Sequence, residues 1–103
     1  QGADINAQGS QRETALIIAG FVANRPELMK FLIERGADVN VANINGDTAL
    51  IDAAYFGRNE NLELLLENGA KPEMKNKQGL TAMDVAKKNE HKSTVKLLEA
   101  HGN

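Results

Sequence analysis

The sequence predicts an all-α solenoid, in which short helix pairs stack in series and a finger loop protrudes ahead of each pair. Three observations predict it. GADVN at 36–40 is echoed by GADIN at 2–6 and by GAKPE at 69–73, at offsets of 34 and 33. Thr14-Ala15-Leu16, Thr48-Ala49-Leu50 and Thr81-Ala82-Met83 keep the same step. An apolar run ending in glycine closes each unit: MKFLIERG at 29–36, LELLLENG at 62–69 and VKLLEAHG at 95–102. Phrases that recur in phase, at a period of roughly 20–50 residues, mark stacked repeats. The chain then reads as one domain, 1–103, divided into a first repeat with its preceding finger (1–35), a second (36–68) and a third (69–103).

The second unit shows the elements most plainly, in chain order. Asn45-Gly46 is a tight-turn signal, because both residues tolerate positive φ. Residues 38–46 therefore read as an extended finger that doubles back. Thr48 follows as an N-cap, its hydroxyl placed to accept from a free amide of the first helical turn. Residues 49–56, ALIDAAYF, form a short helix in which Leu50, Ala53 and Ala54 share one face. Alanines there let a neighbouring helix approach closely. Gly57 ends that helix in the left-handed conformation. A second helix runs from about Asn59 to Glu67, with Leu62, Leu65 and Leu66 as its apolar stripe. Asn68 and Gly69 terminate it. Helices of about two turns are marginal alone in water, where roughly 12–15 residues are needed. Each unit must therefore bury its apolar face on the next.

The first unit carries one additional residue, 21 between Leu16 and Gly36 inclusive against 20 between Leu50 and Gly69. It is expected in the first helix or in the turn after it. Pro26 suits the first turn of the second helix, where its missing N–H costs nothing. The third unit is the more polar one. Lys87 and Glu99 stand where Ala54 and Leu66 stand, Thr94 stands at the position of Asn61, and Lys88, Asn89, Glu90 and Lys92 add polarity. This is expected to be a C-terminal cap with a wet outer face. The first unit shows no such softening: Ile17, Ile18, Phe21, Leu28, Met29, Phe31, Leu32 and Ile33 are apolar. A further repeat ahead of residue 1 is the expectation, and Gln1 is not an initiator methionine.

These residues resemble the ankyrin repeat. The match rests on GADVN at 36–40, Gly46, Thr48, Leu50, Ala53-Ala54, Gly57, LELLLE at 62–67 and Gly69-Ala70, and it extends over essentially the whole chain. The resemblance implies stacked helix-turn-helix pairs with β-hairpin or finger loops. One departure is consistent. Where the family has Pro-Leu-His, this chain has Ala15-Leu16-Ile17, Ala49-Leu50-Ile51 and Ala82-Met83-Asp84. The family's Thr–His hydrogen bonds are therefore expected to be missing, at about 1 kcal/mol each. Thr-Ala-Leu in place of Thr-Pro-Leu is similar to ankyrin proteins of bacteria.

Composition narrows the function classes. Net charge is −2, with 12 basic and 14 acidic residues, so the basic footprint expected of a nucleic-acid binder is missing. No apolar run is long enough to span a membrane, and a cytoplasmic location is expected. With no cysteine, disulfides, thiolate chemistry and cysteine metal sites are excluded. His91 and His101 read as structural, the first by its family position after the inter-helix turn, the second as a cation at a helix end. Glu63 and Glu67 sit four apart on a helix exterior and read as a solvated pair. No Ser/His/Asp grouping, phosphate loop or HExxH occurs. The chain is expected to be no enzyme and to need no cofactor or metal.

The resemblance also implies where a partner binds, since ankyrin proteins typically use the concave surface of finger tips and first helices. On the helical wheel Asp52, Tyr55 and Phe56 point away from Leu50, Ala53 and Ala54. The implicated positions are Ile44, Asn45, Asp47, Asp52, Tyr55 and Phe56 in the second unit. Those in the first are Ser10, Gln11, Glu13, Phe21 and Val22, and those in the third are Lys77, Gln78, Leu80, Lys88 and Asn89. Tyr55 and Phe56, with Phe21 and Val22 beside them, would form an exposed aromatic patch of the kind enriched at interfaces. Packing of Phe21 and Phe56 against a neighbouring helix is the alternative. The expected function is non-catalytic recognition of another protein, by a monomer unless its uncapped N-terminal face self-associates. The alternative is an architectural spacer or regulatory segment of a larger protein.

Overall fold

Each unit starts its first helix at a threonine. In the computed structural model, which describes residue 8, residues 14–22 and residues 25–102, Thr14 Oγ1 accepts from the amide of Ile17 at 3.2 Å. Thr48 Oγ1 accepts from Ile51 at 3.3 Å and Thr81 Oγ1 from Asp84 at 3.2 Å. The helices that follow are α1 (Ala15–Val22), α3 (Ala49–Phe56) and α5 (Ala82–Lys88). Their partners in each unit are α2 (Pro26–Glu34), α4 (Asn59–Glu67) and α6 (Lys92–Gly102). Helices α1, α3 and α5 form one row and α2, α4 and α6 a second, each helix packed on its counterpart in the neighbouring unit. This is the serial stack the repeats predict.

The core lies between and within the rows. Ala53, Ala54 and Ala86 are fully buried where row helices meet, and Leu50, Leu62 and Leu65 fill the space inside the second unit. A buried leucine side chain contributes about 1.5–3 kcal/mol, which no single pair could collect without its neighbours. The GADVN phrase has a part for nearly every letter. Ala37 and Val39 are buried, and the Asp38 carboxylate accepts from the amide of Asn40 at 2.9 Å. The Asn40 side chain then grips the next unit, donating to the carbonyl of Gly69 at 3.0 Å and accepting from the amide of Lys71 at 2.9 Å.

Four sequence expectations are refined. The two described finger loops turn back through short-range backbone bonds, Asn43 N–H to Asp47 O at 2.9 Å and Gly46 N–H to Asn43 O at 2.9 Å in one, Asn76 N–H to Leu80 O at 3.0 Å and Gly79 N–H to Asn76 O at 2.9 Å in the other. Among the described residues no strand forms, so the β-hairpin reading of the fingers gives way to plain turns. The additional residue of the first unit lies between α1 and α2, because α1 and α3 are both eight residues long. Thr94 does not belong to the wet face of the cap. It is fully buried and donates its hydroxyl to Asn59 Oδ1 on α4. Helix α6 runs on through Gly102 instead of ending before it.

Helix ends explain two further residues. Gly57 closes α3 at φ 67°, and a Cβ there would also meet the His91 ring at 3.1–3.3 Å. Glu90 stands at the matching place in the third unit and adopts φ 59° with a side chain in place. A left-handed side-chain-bearing residue is strained by about 1–2 kcal/mol. Asp84, where the family has histidine, completes a capping box: its Oδ2 accepts from the amide of Thr81 at 3.0 Å. That bond, with the Thr81 hydroxyl and then Lys75 and Lys87, holds the Asp84 carboxyl below its ordinary value.

Two outcomes follow from these ends. Gly57→Ala should destabilise the fold by about 1–3 kcal/mol, whereas Glu90→Gly should stabilise it by up to about 1 kcal/mol, both read from urea midpoints. Because the folded Asp84 value is depressed, its contribution is present above the unfolded value near 3.8 and is lost as pH falls through the lower folded value. The melting-temperature gap between the wild type and Asp84→Ala should therefore be open at pH 7 and close progressively below about pH 4. Thermal melts across that range read the gap.

Candidate functional site

A groove of about 500 Å³ opens between α3 and α5 on the side of the fingers. Its α3 side is built by the helix periodicity. Ile51 is buried, Asp52 half-buried, and Tyr55 and Phe56 stand out at 50% and 43% exposure. Their rings meet edge to face, centroids 4.8 Å apart, an arrangement aromatic pairs favour. The Arg58 guanidinium lies 5.7 Å from the centre of the Phe56 ring. From α5 come buried Val85 and exposed Lys88, with Asn89 just past the helix end.

The fingers complete the groove, and two asparagines hold them in shape. Asn43 Oδ1 accepts from the amides of Asn45 at 2.9 Å and Asp47 at 3.0 Å. Asn76 Oδ1 does the same for Gln78 at 2.9 Å and Leu80 at 3.0 Å. One finger is then tied to the next. Asn76 donates to the Asp47 carboxylate at 2.9 Å, and the amide of Lys77 donates to the carbonyl of Asn45 at 3.0 Å. Gly46 sits at this approach with φ 78°, where a Cβ would come within 2.8 Å of the Lys77 nitrogen. Only glycine permits both the turn and the contact.

The structure gathers eight of the sequence-predicted residues along this groove: Asp47, Asp52, Tyr55, Phe56, Gln78, Leu80, Lys88 and Asn89. Ile44, Asn45 and Lys77 lie at the finger turns, outside the groove lining, with Ile44 exposed. Ser10, Gln11 and Glu13 fall outside the described residues. Phe21 and Val22 end α1, and their side chains likewise fall outside the description. Sequence reasoning missed Asn43 and Asn76, although the signal was there: each stands three residues ahead of a finger glycine, 33 apart. It also missed Ile51 and Val85, apolar side chains that reach the groove from within.

The chemistry available here is recognition chemistry. His91 has its Nε2 2.9 Å from the carbonyl of Tyr55, a tie between α3 and the third unit. Among the described residues no three histidine, aspartate or glutamate side chains gather as metal ligands. None of the described helices is long and apolar enough to cross a membrane.

Comparison with known proteins agrees with the stacked-repeat fold. The description of ankyrin repeats in three copies matches residues 1–76 and again residues 19–103. The chain belongs to the ankyrin-repeat family. It is 37% identical over 94% of its length to an ankyrin repeat protein of Acanthamoeba polyphaga mimivirus, of which the match spans 22%. It is 41% identical over 71% of its length to protein phosphatase 1 regulatory subunit 12A of Mus musculus, spanning 7% of that protein. A Treponema pallidum ankyrin repeat-containing protein is 37% identical over 84% of the chain, spanning 29% of that relative. The chain thus covers under a third of the length of each. Ankyrin repeats are general protein–protein interaction modules, and the family is generally non-catalytic.

Asn76 supplies the sharpest check on how the groove is held. Asn76→Ala should destabilise the protein by about 1–3 kcal/mol, since it strips two finger amides and the Asp47 carboxylate of a partner at once. Equilibrium urea unfolding measures this.

Proposed function

We propose that the α3–α5 groove and the finger turns beside it are the surface on which this ankyrin array holds a protein partner. The observation that carries the reading is the pair Tyr55 and Phe56. Two adjacent aromatic side chains stand about half exposed beside a concave opening, where core packing does not require them. Large rigid rings at the edge of a groove are what interfaces use as anchors. The polar lining is mixed in sign, with Asp47 and Asp52 from one unit and Lys88 from the next. A spacer would be expected to show a uniformly solvated face there. The assigned surface comprises Asp47, Asp52, Tyr55, Phe56, Gln78, Leu80, Lys88 and Asn89, extended by Ile44, Asn45 and Lys77 at the turns. The positions Ser10, Gln11, Glu13, Phe21 and Val22 continue it in the first unit.

Selection from a displayed random-peptide library tests the reading. Peptides selected on the wild-type chain should lose at least about tenfold in affinity, roughly 1.4 kcal/mol, when Tyr55 and Phe56 are both replaced by alanine. Glu63→Ala with Glu67→Ala, on the exposed side of α4, should leave affinity unchanged. The aromatic double variant should still melt cooperatively, because neither ring is buried. Retained affinity in that variant would defeat the proposal, as would its outright unfolding, which would mean that the rings belong to the core.

A further inference from the structure

The charge of this chain is unevenly divided along the stack. Residues 1–68 carry ten acidic and five basic side chains, whereas residues 69–103 carry four acidic and seven basic ones. The small net charge of −2 thus hides an acidic first part and a basic last one. The groove between α3 and α5 lies at the boundary, and its lining repeats the division. The second unit contributes the carboxylates of Asp47 and Asp52, and the third contributes the ammonium of Lys88. Among the described residues, no lining side chain of the opposite sign stands on either wall.

Each wall has the parts for one kind of charged group. Asp52 precedes Tyr55 and Phe56 by three and four residues, so the three fall on one side of α3, and all reach the groove. A carboxylate beside aromatic rings suits an arginine or lysine side chain, which pairs with the acid and lays its charge against a ring face. The Arg58 guanidinium, 5.7 Å from the centre of the Phe56 ring, shows that a cation already approaches this aromatic pair. On the other wall Lys88 is exposed in the last turn of α5. The side chains of Gln78 and Asn89 line the same opening, and Lys77 stands exposed at the adjoining finger turn. A cation among amide donors suits a carboxylate.

We propose that the groove selects a partner segment of split charge, with an arginine or lysine against Asp52, Tyr55 and Phe56 and an aspartate or glutamate against Lys88. This deepens the reading of the groove as the partner surface and rests on it. Packed helix axes lie about 8–10 Å apart and an extended chain rises about 3.3 Å per residue. A segment crossing from α3 to α5 therefore sets its two charges about two to four residues apart. A segment with one sign of charge satisfies one wall and meets a like charge at the other. The asymmetry of the whole chain acts in the same sense, steering a segment of split charge into one orientation.

The displayed random-peptide library supplies the probes, namely the selected peptides that lose affinity when Tyr55 and Phe56 are both alanine. Their sequences should carry a basic and an acidic residue at the stated spacing. Glutamine in place of either charge should weaken binding by about threefold to tenfold. Asp52→Asn should cost the parent peptide a similar factor and leave the peptide without its basic residue unaffected. Lys88→Gln should do the same with respect to the acidic residue. Both peptides are compared on the same protein variant, so any change in its folding moves both alike. Ring-dependent peptides that carry charges of one sign or none, or that keep their affinity on glutamine replacement, overturn this inference and leave the groove a partner surface. An equal cost of Asp52→Asn to both peptides also overturns it. A selection that yields no ring-dependent peptide overturns both readings.

Discussion

Everything in this molecule depends on one constraint: no helix pair can bury its apolar side within itself. The helices run from seven to eleven residues, below the roughly 12–15 at which an isolated helix begins to hold in water. Stability must come from neighbours, and the alanines at 53, 54 and 86 allow it by letting row helices close on one another. The energetics are then close to a sum over adjacent units. A perturbation at one interface is felt by the two units that share it and only weakly beyond.

Apolar contact between smooth helix faces is not directional, so something else must fix how one unit sits on the next. Polar side chains reaching across the interfaces do this here. Asn40 holds the backbone that opens the third unit, Asn76 ties finger to finger, and Asn59 meets Ser93 and Thr94. His91 reaches the last turn of α3. Each bond is worth little net, but a mis-stacked unit would bury these groups without partners, at about 1–3 kcal/mol apiece. The threonine–histidine pattern of the family is replaced by a different local device in the third unit, where Asp84 closes a capping box on Thr81. That replacement serves the helix end and leaves the stacking to the other ties.

Helix positions were legible in the sequence because they rest on local signals. The Leu62, Leu65 and Leu66 stripe, the threonine caps and the Gly57 stop all act within a few residues of where they are written. The burial of Thr94 was not legible, since it is set by Asn59, 35 residues away. A threonine among lysines and glutamates reads as solvated until the surface of the preceding unit is known. Asn43 and Asn76 were overlooked for a related reason. An asparagine in a turn is so common that its repetition at the interval of the other phrases was the only sign of its bonds to the finger amides. The groove positions were legible in outline, because α3 must turn one side to the core and the other outward. Ile51 and Val85 show the limit: both are buried, yet both reach the opening.

The division of labour within α3 has a further consequence for how such a surface changes. Leu50, Ala53 and Ala54 hold the stack and cannot grow without pushing units apart. Tyr55 and Phe56 share the same eight-residue helix but hold little of the core, and their counterparts in α5 and just beyond it, Lys88 and Asn89, share none of their chemistry. A repeat thus carries a fixed side and a free side on one short element, in a register set by the 3.6-residue turn. Changes on the free side leave the stacking energy nearly untouched. Two units with the same fold can therefore present an aromatic edge and a basic one side by side, across a single groove.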